Sequence, residues 1–493
     1  MRKKTVLFYT ALAIFSIFLA CLSTNYDYDL FARLIVGERF IEHGILPYQD
    51  FLSYTPTHPW YDHEWGSGVV FYLLIKYLGA FGLLLFQAVM MFLTSVFVIK
   101  TQKLQKHAYP PSLLFMGVFL VLFTRLNSEL VRCQLFSFLF FSIFLYILES
   151  TKKRKHKNLI WTFPVIVIFW NNVHGGVVSG LGLIAMYFAG AILERKPWKK
   201  YFAVLSASTL ALVINPYGLK YLNFLFSAAT KHRKYIVEWW PFYAKRHILY
   251  YLAPSVYSIF GLLAATMTKK YNWTKFIILI MPVYMGLAHA KLLSLSVIAV
   301  AALCYNDIVR LLHKLCYVFR KLEKCLYPAI FVLALLIPML SPFVARVGET
   351  KFPYYELEFL KINNIKGNLV SPFGLGSYAT YKLYPNNLIF MDGRYEEVYN
   401  DKEFMVLKSF DLVLDNWKDI YTKYPTDIIM AYKDVASYLV LQNDPEWVHI
   451  FDGKICGIFV KKGKEQFTYL EPEYDLDYYR KTMFKHGDFN NND

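Results

Sequence analysis

The sequence predicts a polytopic α-helical membrane protein of about eleven spans, carrying a C-terminal extracytoplasmic α/β domain. Three observations point there. Of 493 residues, 56% are hydrophobic and 18% aromatic. The apolar residues fall in runs approaching the ~20 that cross roughly 30 Å of hydrocarbon at 1.5 Å per residue. Clusters of Lys and Arg occupy alternate connections between those runs, as expected of cytoplasmic loops.

The runs cover residues 6–22, 80–99, 111–124, 134–148, 159–172, 177–193, 201–214, 248–267, 276–288, 292–305 and 326–343. The basic segments are Arg2-Lys3-Lys4, 100–106, Lys152-Lys153-Arg154-Lys155, 195–200, Lys269-Lys270 and 310–324. Placing all six inside puts the N-terminus in the cytoplasm and the chain from about Ala345 outside. The formal charge of +17 then reflects this bias and not nucleic-acid binding. Phe18-Leu19-Ala20-Cys21 is a poor lipoprotein box, so the first run is expected to stay as an anchor. The six cysteines show neither metal-ligand spacing nor a disulfide framework.

Three regions are expected: a membrane domain at 1–343 with a first outer loop at 23–67, an α/β domain at 344–467, and a tail at 468–493. Within the first loop, residues 30–41 alternate apolar and charged positions at helical spacing, which suits a helix lying in the membrane interface. Residues 66–78 suit a second. The loop at 215–247 mixes aromatics with Lys and Arg, as headgroup-zone segments do. In the C-terminal region, 367–370, 388–391 and 427–430 read as strands of a parallel core. Helices are expected at 356–364, 377–383 and 403–424. Residues 447–451 and 455–460 read as a hairpin turning at Asp452-Gly453.

Most polar motifs fall on the outer side of this map. Asp27 and Asp29 leave the first run. Asp29 could simply cap the helix that follows, but two carboxylates beside hydrocarbon are costly without partners. His63-Glu64-Trp65, after Pro59-Trp60-Tyr61-Asp62, concentrates carboxylates, an imidazole and indoles at the loop's end. An aromatic interface anchor is its bland reading. Asn171-Asn172-Val173-His174-Gly175-Gly176 suits a tight reversal, which explains the glycines better than His174. Asn215-Pro216-Tyr217-Gly218 is sufficiently explained as a helix stop. Glu238-Trp239-Trp240-Pro241 and His289-Ala290-Lys291 also face outward, and Lys291 could hold a phosphate or snorkel. Asp392-Gly393-Arg394 follows a strand, and Pro372-Phe373-Gly374-Leu375-Gly376-Ser377 opens a helix. Both are also ordinary turn chemistry.

Asp27-Tyr28-Asp29, Leu34 and Gly37 with Ile41 and Gly44, Asp50 with Ser53-Tyr54-Thr55, and Trp60-Tyr61-Asp62-His63-Glu64-Trp65 together resemble the GT-C superfamily of membrane glycosyltransferases. They are nearest to a bacterial branch of integral proteins. The Asn-x-His-Gly-Gly, Asn-Pro-Tyr-Gly and Asp-Gly-Arg elements look similar too. The resemblance implies a bacterial inner-membrane enzyme of inverting type. A sugar would move from a polyprenyl-phosphate donor in the bilayer to a glycan, lipid or protein acceptor. It implies a first-loop acidic residue at the acceptor or a metal, here Asp29 first and Asp27 second. On this reading His63 and Glu64 position the acceptor or an ion. Lys291, with Arg125 or Arg132, holds the leaving phosphate, and Trp65, His174 and Glu238 contact substrate. A divalent cation is compatible with such a donor set, though spacing alone does not choose a metal. Two rivals stand beside this reading: a transporter of lipid-linked saccharide, marked by ionisable residues buried mid-span, and a non-catalytic scaffold whose outer domain binds glycan or protein.

Overall fold

The computed structural model describes residues 2–22, 25–105, 110, 112–126, 129–231, 233, 236–244, 248–267, 272–315, 351–472 and 483. The expected span at 326–343 and most of the expected tail lie outside them. The chain divides into two compact units, Met1–Ser23 with Ala80–Ala345, and Thr24–Gly79 with Arg346–Asp493.

The first unit is helical. Among the described residues, five helices are long and apolar enough to cross a membrane: Lys4–Leu22, Trp65–Lys103, Gln134–Lys152, Ile248–Thr266 and Ala290–Leu312. Shorter apolar helices cover Phe115–Thr124, Leu159–Val173, Val177–Leu193 and Trp273–Ala288. The expected span at 201–214 is the 13-residue helix Lys199–Ala211, which reaches only about 20 Å at 1.5 Å per residue. The Ala290–Leu312 stretch is 89% buried and central, whereas Ile248–Thr266 is 28% buried. On the latter, Leu249, Leu252, Val256, Ile259 and Leu263 are exposed. Their three- and four-residue spacing puts them on one apolar, uncovered face, as a helix against lipid would have. Its other face packs closely, because a Cβ at Gly261 would overlap Val300. The segment expected as an irregular loop at 215–247 contains the helix Leu219–Thr230.

Both ends of this unit carry charged clusters. At one end of this unit, Lys152, Lys275 and Arg310 surround a common cavity. Arg132 precedes the other end of the Gln134–Lys152 helix, about 28 Å away at the helical rise. It pairs there with Glu238, which also meets Lys291.

The second unit is built from the first loop and the C-terminal region together. Its four-stranded sheet has Leu369–Val370 parallel to Ile428–Tyr432, then Cys456–Lys461 antiparallel to it and Trp447–Asp452 outermost. The expected strand at 388–391 makes a single parallel rung, with Ile389 between Leu369 and Ser53. Backbone bonds from Ile389 N to Leu52 O (3.0 Å) and from Tyr54 N to Ile389 O (3.1 Å) fix it. The first loop thus extends the C-terminal sheet. The core is parallel on this side and a hairpin on the other, so the sheet is mixed.

Three local expectations change. Residues 30–41 do form a helix, Leu30–His43, but Leu30 through Gly37 are all buried. Its first two turns are covered on every side while Ile41–His43 are exposed, so the helix is anchored in the core and does not rest along an interface. The expected helix at 403–424 breaks into Asp401–Asp411 and Asp419–Thr422, where Val413 takes φ 52°. The hairpin turns over Gly453 to Ile455, not in two residues. Glu356 accepts from the backbone N–H of Ile455 (2.8 Å) and Cys456 (2.9 Å).

Candidate functional site

In the second unit, motifs far apart in sequence converge. Asp29 occupies the N-cap position of the Leu30–His43 helix, yet its side chain makes no capping bond. Its carboxylate lies instead against the Asp392-Gly393-Arg394 turn, where a Cβ on Gly393 would overlap Asp29 Oδ1 and approach Ser377 Oγ at 3.6 Å. Gly374 would meet the Tyr28 ring at 3.7 Å, and Asp27 is buried beside it in sequence. The Asp-x-Asp turn, the Gly-rich turn and the Asp-Gly-Arg turn therefore meet at one place. Gly393 is glycine because a carboxylate fills the space of its side chain.

One helical turn beyond Asp29, Arg33 is buried and serves three carboxylates. It contacts Asp62 at 3.0 Å, Glu64 at 2.7 Å and Glu397 at 2.7 Å. His63 Nδ1 lies 3.0 Å from Glu397, and Trp60 Nε1 donates to Glu397 at 2.7 Å. Burial alone would lower the His63 pKa, but the Glu64 and Glu397 carboxylates outweigh it and raise it to about 9. Burial lifts Asp62 to about 6 against the pull of Arg33. For Glu397, burial works upward, and Arg33 and His63 overcome it to hold the carboxyl well below the usual range. A parallel arrangement sits alongside. Arg394, also buried, holds Asp50 at 2.6 Å and Asp392 at 2.9 Å, with its guanidinium 4.5 Å from the centre of the Trp60 ring.

Among the described residues, ligand atoms of Asp62, His63 and Glu397 lie within 4.8 Å of one another, close enough to hold a metal ion. Asp62 Oδ2 is buried without a hydrogen-bond partner. The Arg33 guanidinium, however, already supplies the positive charge at both carboxylates. A second cation there would face it at short range, so the set fits a divalent ion poorly.

The helical unit carries a separate cationic group. Glu238 lies 2.9 Å from Arg132 and 3.3 Å from Lys291. Burial favours its neutral form, but the two cations win and hold it well below the usual carboxylate range. Arg233 lies over the Trp239 ring at 4.1 Å, and Lys291 lies 5.6 Å from its centre. His289 Nδ1 donates to Trp239 O at 2.8 Å, and Ala290 N donates to Trp240 O at 3.1 Å. Three cations thus gather around one carboxylate and one indole, a grouping of the kind that can hold a phosphate.

The sequence-predicted residues divide accordingly. Asp27, Asp29, His63, Glu64 and Trp65 belong to the second unit, where Trp65 meets the Phe40 ring at 5.2 Å. Lys291, Glu238 and Arg132 cluster in the first. The Arg125 side chain lies outside the described residues. His174 serves its own turn: Nδ1 accepts from Gly176 N at 2.9 Å and lies 2.6 Å from Ser137 Oγ. Trp170 Nε1 donates to that hydroxyl at 2.7 Å. This is the explanation the turn alone did not give for His174. Arg33, Glu397 and Arg233 were not predicted, and Asp50 and Trp239 stood in named motifs without a role. The i, i+4 step from Asp29 to Arg33 was the only local signal for Arg33, and nothing local marks Glu397.

A scan against protein-family models and a search of curated proteins each found no match.

Proposed function

We propose that this chain is a polytopic inner-membrane glycosyltransferase of inverting type. It moves a sugar from a polyprenyl-phosphate donor to an extracytoplasmic acceptor. Asp29 is the acceptor-side base. One observation carries this role: a carboxylate at a capping position that leaves the helix uncapped and lies at the meeting of three turns. Asp27 supports it from the same turn. Lys291 and Arg132, with Glu238 between them, engage the donor phosphate, and the gathering of three cations beside Trp239 supports that assignment. His63 and Glu64 act through Arg33 to position the loop and do not touch reacting atoms. The eleven-span topology, with the C-terminal residues outside, belongs to the same proposal. It is supported by the first loop and the C-terminal region folding as one unit, which requires both to lie on the same side of a bilayer.

The test is sugar transfer by the full chain in proteoliposomes, from a panel of polyprenyl-phosphate sugars. Asp29→Asn keeps the size and removes the proton acceptor, so transfer is expected to drop by about 10²- to 10⁴-fold. Gly393→Ala is expected to fall with it, because the added methyl displaces the Asp29 carboxylate. Lys291→Ala is expected to raise the donor concentration needed for half-maximal rate. Near-normal transfer by Asp29→Asn and Asp27→Asn at matched folded amounts would refute the base assignment. The ion-pair network around Arg33 favours a second reading, a scaffold whose outer unit is held rigid to bind glycan. Glycan binding without transfer by the wild type would select it.

A further inference from the structure

The helical unit has a cavity of about 250 Å³ that the proposed reaction does not use. It lies at the ends of the helices Gln134–Lys152, Ile248–Thr266, Trp273–Ala288 and Leu293–Leu315. Its charged lining is Lys152, Lys153, Lys275 and Arg310 against Glu149 and Asp307. Two of the cations are matched: Lys275 pairs with Asp307, and Lys153 lies 3.6 Å from Glu149 while donating to Leu104 O at 3.0 Å. Lys152 is held more loosely, attracted by Glu149 and Glu194, and Arg310 has no carboxylate of the lining as an ion-pair partner. Lys152 donates to Asn272 Oδ1 at 3.1 Å, and its nearest carboxylate is Glu194 at 4.0 Å. Arg310 is exposed and makes no ion pair with a described residue. The cavity thus carries a positive surplus at a helix end. The rest of the wall is partly polar, with Gln105, Thr266, Asn272 and Asn306, and partly apolar, with Leu262, Ala265, Phe276 and Leu279. That wall adjoins the uncovered apolar face of the Ile248–Thr266 helix, where Leu263 is 54% exposed.

We infer that this cavity binds the phosphate headgroup of an anionic membrane lipid. Lys152 and Arg310 would hold the phosphate, and the acyl chains would run along the exposed face of Ile248–Thr266. Size, charge and position agree. A phosphate with a small polar substituent fits the volume, Lys152 and Arg310 supply the charge, and the apolar part of the wall continues toward hydrocarbon. This inference does not rest on the transferase reading.

The test is lipid retention by the purified full chain, read by native mass spectrometry from mixed micelles of phosphatidylglycerol and phosphatidylcholine. Preferential retention of phosphatidylglycerol is expected. Arg310→Gln and Lys152→Gln are each expected to reduce the preference about fivefold, the usual weight of one basic residue against an anionic lipid. Lys200→Gln, outside the cavity, is expected to leave it unchanged. Melting curves guard against misfolding of Lys152→Gln, and Arg310, which is exposed and has no ion pair among the described residues, decides the matter. Equal retention of the two lipids, or an unaltered preference in Arg310→Gln, would overturn the inference. So would Arg310-dependent binding of inorganic phosphate without any preference for phosphatidylglycerol, since that would make the ligand a free anion.

Discussion

Arg33 bridges three carboxylates with one buried guanidinium, and His63 adds a second positive group beside two of them. Such a group is worth little compared with a well-packed apolar replacement of the whole set, but removing one member strands the rest. Arg33→Met should therefore destabilise the second unit by about 3–5 kcal/mol, read by thermal or denaturant unfolding. A change under about 1 kcal/mol would show that the carboxylates are hydrated and the network loose. His63 gives a sharper test. Its folded pKa of about 9 stands above its ordinary 6.5. The charged imidazole therefore contributes its full stabilisation below pH 6.5 and loses it as pH rises through 9. The melting temperature of wild type should fall across that window more steeply than that of His63→Gln. Asp62 titrates lower, at about 6, and other groups cancel in the comparison. Parallel profiles for the two proteins would mean that His63 is neutral in the fold.

The Leu30–His43 helix shows what one element adds. It crosses the start of the Trp65–Lys103 helix with almost no gap, because a Cβ on Gly37 would overlap the Gly68 carbonyl oxygen. Both sides of that contact are backbone, so no side chain can swing away. Gly37→Ala should destabilise by about 1–3 kcal/mol, the usual range for overpacking. Gly182, in the Val177–Leu193 helix with nothing within 4 Å of its Cβ position, is the control. Gly182→Ala should be neutral or slightly stabilising by helix propensity. Equal losses in the two variants would remove the close-crossing argument. This helix was legible in the sequence from the spacing of Leu30, Leu34 and Ile41. Its setting was not, because the charges at Arg33 and Glu38 read as a wet face. Arg33 is instead buried by partners up to 364 residues away. Local periodicity reports how a segment folds, and only long-range pairing decides whether a charged face meets water. The break near Val413 was missed for the complementary reason. Nothing in its composition announces a left-handed residue.

At the scale of the whole chain, the alternation of lysines and the division into units give a topology that can be measured. The apolar runs were legible because hydrocarbon imposes a length. The joining of the first loop to the C-terminal region was not, since it rests on the Ile389 rung and on the Arg33 and Arg394 ion pairs. Those bonds require residues 24–79 and the C-terminal residues to share a compartment, so the number of crossings between Gly79 and Lys351 must be even. The positive-inside bias assigns Lys152 to Lys155 and Lys199-Lys200 to the cytoplasm. A compartment-sensitive reporter fused after Phe467, which is fully exposed, should be active outside the cytoplasm. Inserted after Lys155, it should report the inside. A third insertion after Gly44, at the exposed end of the first-loop helix, should match the Phe467 result. Opposite signals from Gly44 and Phe467 would contradict the second unit itself. Matching signals on the cytoplasmic side would keep that unit, invert the membrane orientation and overturn the outer-face placement of Asp29.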